Sequence, residues 1–173
     1  TGTAATYLDA ARPEGVLDGI HIFVKDLTTG ELKVITDGWD AEGFSISGGG
    51  FSDDGNTVVF TATPNSTYSG GYPSTTTYTL GDWSSDTVSG LGEGNHVVAY
   101  DDASGDFNLI GGTNSGSNVS PTISGNGNYV VFTGDAGAWT SDSTGDQLLR
   151  YNMTTQEVDV VSSDAYGVAR GRG

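Results

Sequence analysis

The chain of 173 residues is long enough for one domain with a core of its own, and its 22 Asp+Glu against six Lys+Arg give a formal charge of −16. So few cations exclude a nucleic-acid partner, whose phosphates nothing here would neutralise, and an anionic membrane surface is equally unwelcome. The absence of cysteine removes disulfides and thiolate metal sites, and no apolar run approaches the roughly 18 residues that span a bilayer.

Helical periodicity is nearly absent. Apolar stretches are short, rich in Val, Ile, Phe and Tyr, and bounded by Gly, Asn, Asp and Ser, which predicts an all-β protein. In chain order, the first clear element is a hairpin, HIFVKDLTTGELKVI, at 21–35. It aligns without a gap on HVVAYDDASGDFNLI at 96–110 and on QLLRYNMTTQEVDVV at 147–161. A second unit, FSDDGNTVVFTA at 51–62, aligns on ISGNGNYVVFTG at 123–134. The order is constant: a Ser-x-x-Gly hairpin, a link of variable length, then an Asp-turn hairpin. Thr1-Gly2 repeat the Thr133-Gly134 that follow Phe132, so 1–37 read as the second half of a unit. Residues 44–112 form a complete unit with a long insertion at 61–95, residues 120–163 form another, and 164–173 lead into a next one. Any targeting segment is expected outside this chain.

Each unit predicts four antiparallel strands, the pattern of a propeller blade, about two and a half in all. The turns have a mechanism. Asp26, Asp101 and Asn152 can accept backbone N–H groups two residues on, and Gly30 and Gly105 supply the left-handed position. The third copy has Gln156 there, which predicts a strained or differently closed turn. The insertion, rich in Ser, Thr, Gly and Tyr, has room for an extra hairpin around TTTYTL, and the run ISGGGFSDDG reads as a flexible strand junction.

These residues resemble the TolB-type, WD40-like (PD40) β-propeller repeat, whose pattern is Ser-x-Asp-Gly, an apolar strand ending in an aromatic, and a strand closing on Asp-x-x-Thr-Gly. The resemblance covers nearly the whole chain outside the insertion. One departure stands out: where the family often has Pro after the Ser, this chain has Asp53 and Gly125. The resemblance implies a ring of six or seven blades, so the chain is expected to be part of a longer polypeptide or to complete its ring with further blades of another copy.

Candidate chemistry is sparse. His21 and His96 fall in one column of the repeat, which marks a structural position at a strand start rather than a catalytic pair, and no catalytic residue is assigned. For a hard cation, Asp135, Asp142 and Asp146 lie within 12 residues, with Asp9 and Asp18, or Asp82 and Asp86, at the equivalent positions. By resemblance to the acidic stretch of related secreted propellers, SDSTGDQ implies calcium as the cofactor. Against this stands the plainer reading that Asp, Ser and Gly make turns, favoured by the lack of EF-hand spacing. Trp83 and Trp139, with Tyr72 and Tyr78, sit in the variable links and suit stacking on a glycan or anchoring a protein, or equally the packing of neighbouring blades. Trp39 suits packing. Asn65, Asn118 and Asn152 head N-x-[ST] triplets.

The functional expectation is a non-catalytic binding or scaffold module of a secreted or cell-surface bacterial protein. Its partner is a protein or glycan, or further blades of the same or another chain, with no nucleic acid and no membrane insertion. Two alternatives stand beside it: the substrate-gating propeller domain of a larger serine-peptidase-type enzyme, and a structural subunit of a homo-oligomeric or filamentous assembly.

Overall fold

A computed structural model describes residues 21–36, 44–64, 77–79, 87–89, 94–110, 118–139 and 145–162. All regular structure in them is β, apart from one 3-10 turn at Ala136–Ala138. Strands β1 (Phe23–Lys25) and β2 (Leu32–Val34) pair antiparallel with Val24 opposite Lys33. A four-stranded sheet follows in the order β3 (Phe44–Phe51), β4 (Thr57–Pro64), β7 (His96–Asp101) and β8 (Phe107–Ile110). Between β4 and β7 the expected extra hairpin forms from β5 (Thr77–Thr79) and β6 (Thr87–Ser89), with Tyr78 opposite Val88. The last sheet orders β9 (Val119–Ile123), β10 (Tyr129–Asp135), β11 (Asp146–Asn152) and β12 (Val158–Val160). Both large sheets are antiparallel meanders, which is blade topology.

The sheets stack face to face, and strand periodicity explains the two cores. Alternate residues of β4 point to opposite faces. Val58, Phe60 and Ala62 join Val98, Tyr100 and Phe107 in a buried cluster against Ile22, Val24 and Ile35 of the first hairpin. Val59, Val97, Ala99 and Ile110, on the other face, pack with Val130, Phe132 and Leu149 of the last sheet. The middle sheet is thus covered on both sides, which is why its β7 reads as an almost unbroken buried run, HVVAY, rather than an alternation. Phe107 meets Phe60 edge-on at 6.5 Å and tilts against Tyr100 at 4.9 Å between centroids.

The repeat extends to backbone irregularities. Pairing of β3 with β4 slips between Ser47 and Gly50, and pairing of β9 with β10 slips between Val131 and Thr133, so the same bulge recurs in both blades. Gly48 takes φ +60° in the first bulge and Ser120 takes φ +56° at the equivalent position of the second. The glycine run expected as a flexible junction is therefore a bulged inner strand. Gly49 is required there, because a Cβ would stand 2.4 Å from the Val59 carbonyl oxygen. A glycine run looks flexible in sequence because nothing local marks the neighbouring strand it must approach.

The three Asp-turns close alike. Gly30, Gly105 and Gln156 each donate a backbone N–H to the carbonyl of Asp26, Asp101 and Asn152, all at 2.8 Å. Gln156 does so at φ +61°, so its turn carries the strain of a side chain in the left-handed region but is not differently closed.

Candidate functional site

The polar columns of the repeat are largely committed to holding the blade together. Asp26 Oδ1 accepts the N–H groups of Thr28 and Thr29 at 2.6 and 3.1 Å, and these bonds hold its carboxyl below the ordinary 3.8. Asn152 Oδ1 accepts from Thr154 and Thr155 at 2.9 and 3.1 Å. In the other turn, Ser52 Oγ donates to Asp54 at 2.6 Å and accepts the Thr57 N–H at 3.0 Å. Ser124 Oγ repeats this with Asn126 and Tyr129, at 2.8 and 3.0 Å. The histidine column is structural too. His21 Nδ1 lies 3.0 Å from the Thr36 carbonyl oxygen, so that nitrogen carries the donated proton. His96 is buried at the start of β7, opposite Ala62.

A hydroxyl column beside it is invisible to the sequence alignment because its middle member is Gly111. Thr36 Oγ1 accepts the Ile22 N–H at 3.0 Å, and Ser162 Oγ accepts the equivalent Leu148 N–H at 3.1 Å. Ser162 also donates to Gln147 Oε1, which occupies the histidine column. Each hydroxyl ties the end of a fourth strand to the start of a third.

The variable end of the last blade is where side chains remain for other work. Asp135 and Asp146 are register partners at the ends of β10 and β11, so two carboxylates face one another across the strands. Like charges directly opposite are unfavourable in a sheet, and a cation between them relieves the repulsion. Asp135 Oδ1 caps the 3-10 turn by accepting the Gly137 N–H at 2.9 Å. The described residues contain no group of three or more metal-ligating side chains, so these two carboxylates supply only part of the six to eight oxygens a calcium ion takes. Asp142, the third carboxylate of this link, lies outside the described residues, as do Asp9, Asp18, Asp82 and Asp86.

Trp139 packs its ring against the core between the two large sheets, and its buried Nε1 has no hydrogen-bond partner. The amide nitrogen of Gln147 is in the same condition. Tyr78 lies on β5, while Trp83, Tyr72, Trp39 and Asn65 lie outside the described residues. Asn118 is buried, with room for no Cβ on Gly134 beside its side-chain oxygen, so the folded chain offers no glycan attachment there.

Sequence reasoning did not find the cleft between the first hairpin and the middle blade. Lys33, Ile35, Tyr100, Phe107 and Gly105 are among the residues lining about 240 Å³. At its rim the Lys33 ammonium sits 5.0 Å from the Tyr100 ring centre and 2.9 Å from Asp102 Oδ1. Burial pulls the ammonium pKa down, but the Tyr100 hydroxyl and the Asp102 carboxylate more than offset this and raise it above 10.5. The space is smaller than the roughly 300 Å³ at which ligand pockets begin, and it reads as the edge of an interblade contact.

Face-to-face four-stranded meanders with repeated turns and bulges define the class: this is a section of a β-propeller, about two and a half blades. Among solved structures the chain is similar to a "putative dipeptidyl aminopeptidase IV" from Bacteroides ovatus, at 16% identity and a TM-score of 0.47. The similarity covers 82% of this chain and 23% of that one, so the chain spans about a quarter of that protein's length. No family model matches, and no curated protein matches.

Proposed function

We propose that this propeller section is a binding or scaffold module of a secreted or cell-surface bacterial protein, meeting a protein or glycan through the links between second and third strands. One observation carries the reading: two blades with the same turns and the same bulge differ at that single link. The middle blade inserts the β5–β6 hairpin there, and the last blade has a 3-10 turn flanked by Asp135 and Asp146. A constant framework with divergent loops is how a fold presents recognition surfaces. The repeated polar columns support a non-catalytic role, since the turn Asp, Asn and Ser groups and the His21 ring are occupied by bonds within their blades.

The test is a glycan array and a capture experiment with the whole chain, repeated after residues 136–145 are replaced by a two-residue turn. Ligand binding that disappears with the link while the melting curve is retained supports the reading. Hydrolysis of peptide substrates by the isolated chain would overturn it, and binding indifferent to every link would move the site elsewhere.

A further inference from the structure

The repeat assigns each residue of an outer hairpin to one of two faces, one towards the preceding blade and one towards the next. The first hairpin turns Ile22, Val24 and Ile35 to the middle blade, and Ile35 is 6% exposed. Their counterparts in the middle blade are Val97, Ala99 and Ile110, at 0%, 0% and 1%, sealed by the last sheet. In the last sheet the same columns hold Leu148, Arg150 and Val161, and Leu148 and Val161 stand 41% and 48% exposed.

The opposite face is bare at the other end. Phe23 is 38% exposed, whereas its counterparts Val98 and Leu149 are at 1% and 0% because a preceding blade covers them. Leu27 is 91% exposed. Its two counterparts both reach back to the preceding blade: Asp102 to Lys33, and Met153 to the core between the large sheets. One chain therefore carries both halves of an interblade interface, separated. The charges agree as well. In the interface between first hairpin and middle blade, Lys33 meets Tyr100. The corresponding columns at the bare faces hold Asp159 on the last sheet and Lys25 on the hairpin, an acid and a base. Asp159 already pairs with Arg150 at 2.6 Å within its own face, and Arg150 lies 5.1 Å from the Tyr129 ring centre, which leaves a Tyr–Arg patch of the kind that anchors interfaces.

We propose that a second copy of this chain docks head to tail, the 21–36 hairpin of one copy seating on the outer face of the last sheet of another. The contact is heterologous, so successive copies propagate it into a ring or a filament. It is independent of any loop ligand. The charge of −16 opposes it, so association strengthens as salt screens that repulsion.

The chain has no cysteine, so single cysteines report burial directly. Sedimentation velocity of the whole chain at moderate salt, over a range of concentrations, is expected to give species larger than a monomer. A Leu148→Cys variant is expected to react quickly with a thiol reagent when dilute and slowly when associated, while Val97→Cys is slow in both conditions. Asp159→Lys is expected to weaken association about tenfold, and adding Lys25→Asp to recover it. A chain that stays monomeric at all concentrations and salts overturns the proposal. So does an assembly in which Leu148→Cys still reacts at the monomer rate, since another surface then holds the copies together.

Discussion

The backbone N–H of Asp53 donates to the carbonyl of Gly125 at 2.8 Å, joining equivalent turns of two successive blades. These are the two positions at which the resembled family often has proline. Proline at 53 has no N–H to give, and at 125 a Cβ would stand 2.2 Å from the Asp53 carboxylate. The departure from the family pattern is a bond between blades.

Asp53→Pro is accordingly expected to cost about 0.5–1.5 kcal/mol, the worth of one intramolecular hydrogen bond. Gly125→Ala is expected to cost less, because the obstructing carboxylate is the end of a side chain that can swing aside. Urea unfolding of the two variants gives the comparison, and equal stabilities would count against the bond.

Gln156 holds the left-handed position that Gly30 and Gly105 hold elsewhere, at φ +61°. Gln156→Gly removes the side-chain clash but loosens the unfolded chain, for a net gain of about 0.5–1 kcal/mol. A rise in Tm is the expected reading; a fall would mean the side chain makes a contact worth more than the strain.

Val97 and Leu148 share a repeat column but differ in cover. Val97→Ala is expected to destabilise the chain by about 2 kcal/mol, through lost burial and a cavity between sheets. Leu148→Ala is expected to stay under about 1 kcal/mol when measured at dilutions where copies are apart. Similar values for both would contradict the face assignment.

The Ser52 hydroxyl and then the Asn56 N–H hold the Asp54 carboxyl below its ordinary 3.8, and the turn amides of Thr29 and Thr28 do the same for Asp26. Folded pKa values below the unfolded ones mean that the stabilisation is present above about pH 4 and is lost as pH falls through the folded values. Tm measured from pH 6 down to pH 2 should therefore fall most steeply at the acid end, and less steeply for Asp54→Asn than for the parent chain. Parallel curves would show that the turn carboxylate is not linked to folding.

For the facing pair Asp135 and Asp146, millimolar calcium is expected to raise Tm, with reversal by a chelator and loss of the effect in Asp135→Asn. An unchanged Tm removes the cation from the proposed function.

Much of the fold was legible in the chain because a repeated blade writes its strands, turns and faces several times. The alignment of 21–35, 96–110 and 147–161 found the hairpins, and the Asp-to-Gly turn chemistry was readable because it is local. The bulge at Gly48 and Ser120 was missed, since a bulge is defined by the strand it pairs with and not by its own residues. Thr36 and Ser162 were missed for a related reason: two members of a three-member column make a weak pattern. At the candidate site, sequence spacing named Asp135 and Asp146, but only strand pairing makes them opposite partners. Trp139 was ambiguous between ligand stacking and packing, and its contacts with the core between the sheets are a property of the assembled blades.

By itself, then, the sequence determined what short-range chemistry governs: an all-β chain, the order of hairpins, the turn-closing residues, and histidines that belong to a structural column. Tertiary structure decided which face of each strand is covered. A period of two says that alternate residues point apart, but burial depends on whether a neighbouring sheet lies there. Val97 and Leu148 have the same place in the repeat, and the sheet beside one and not the other separates a core residue from a surface that can bind.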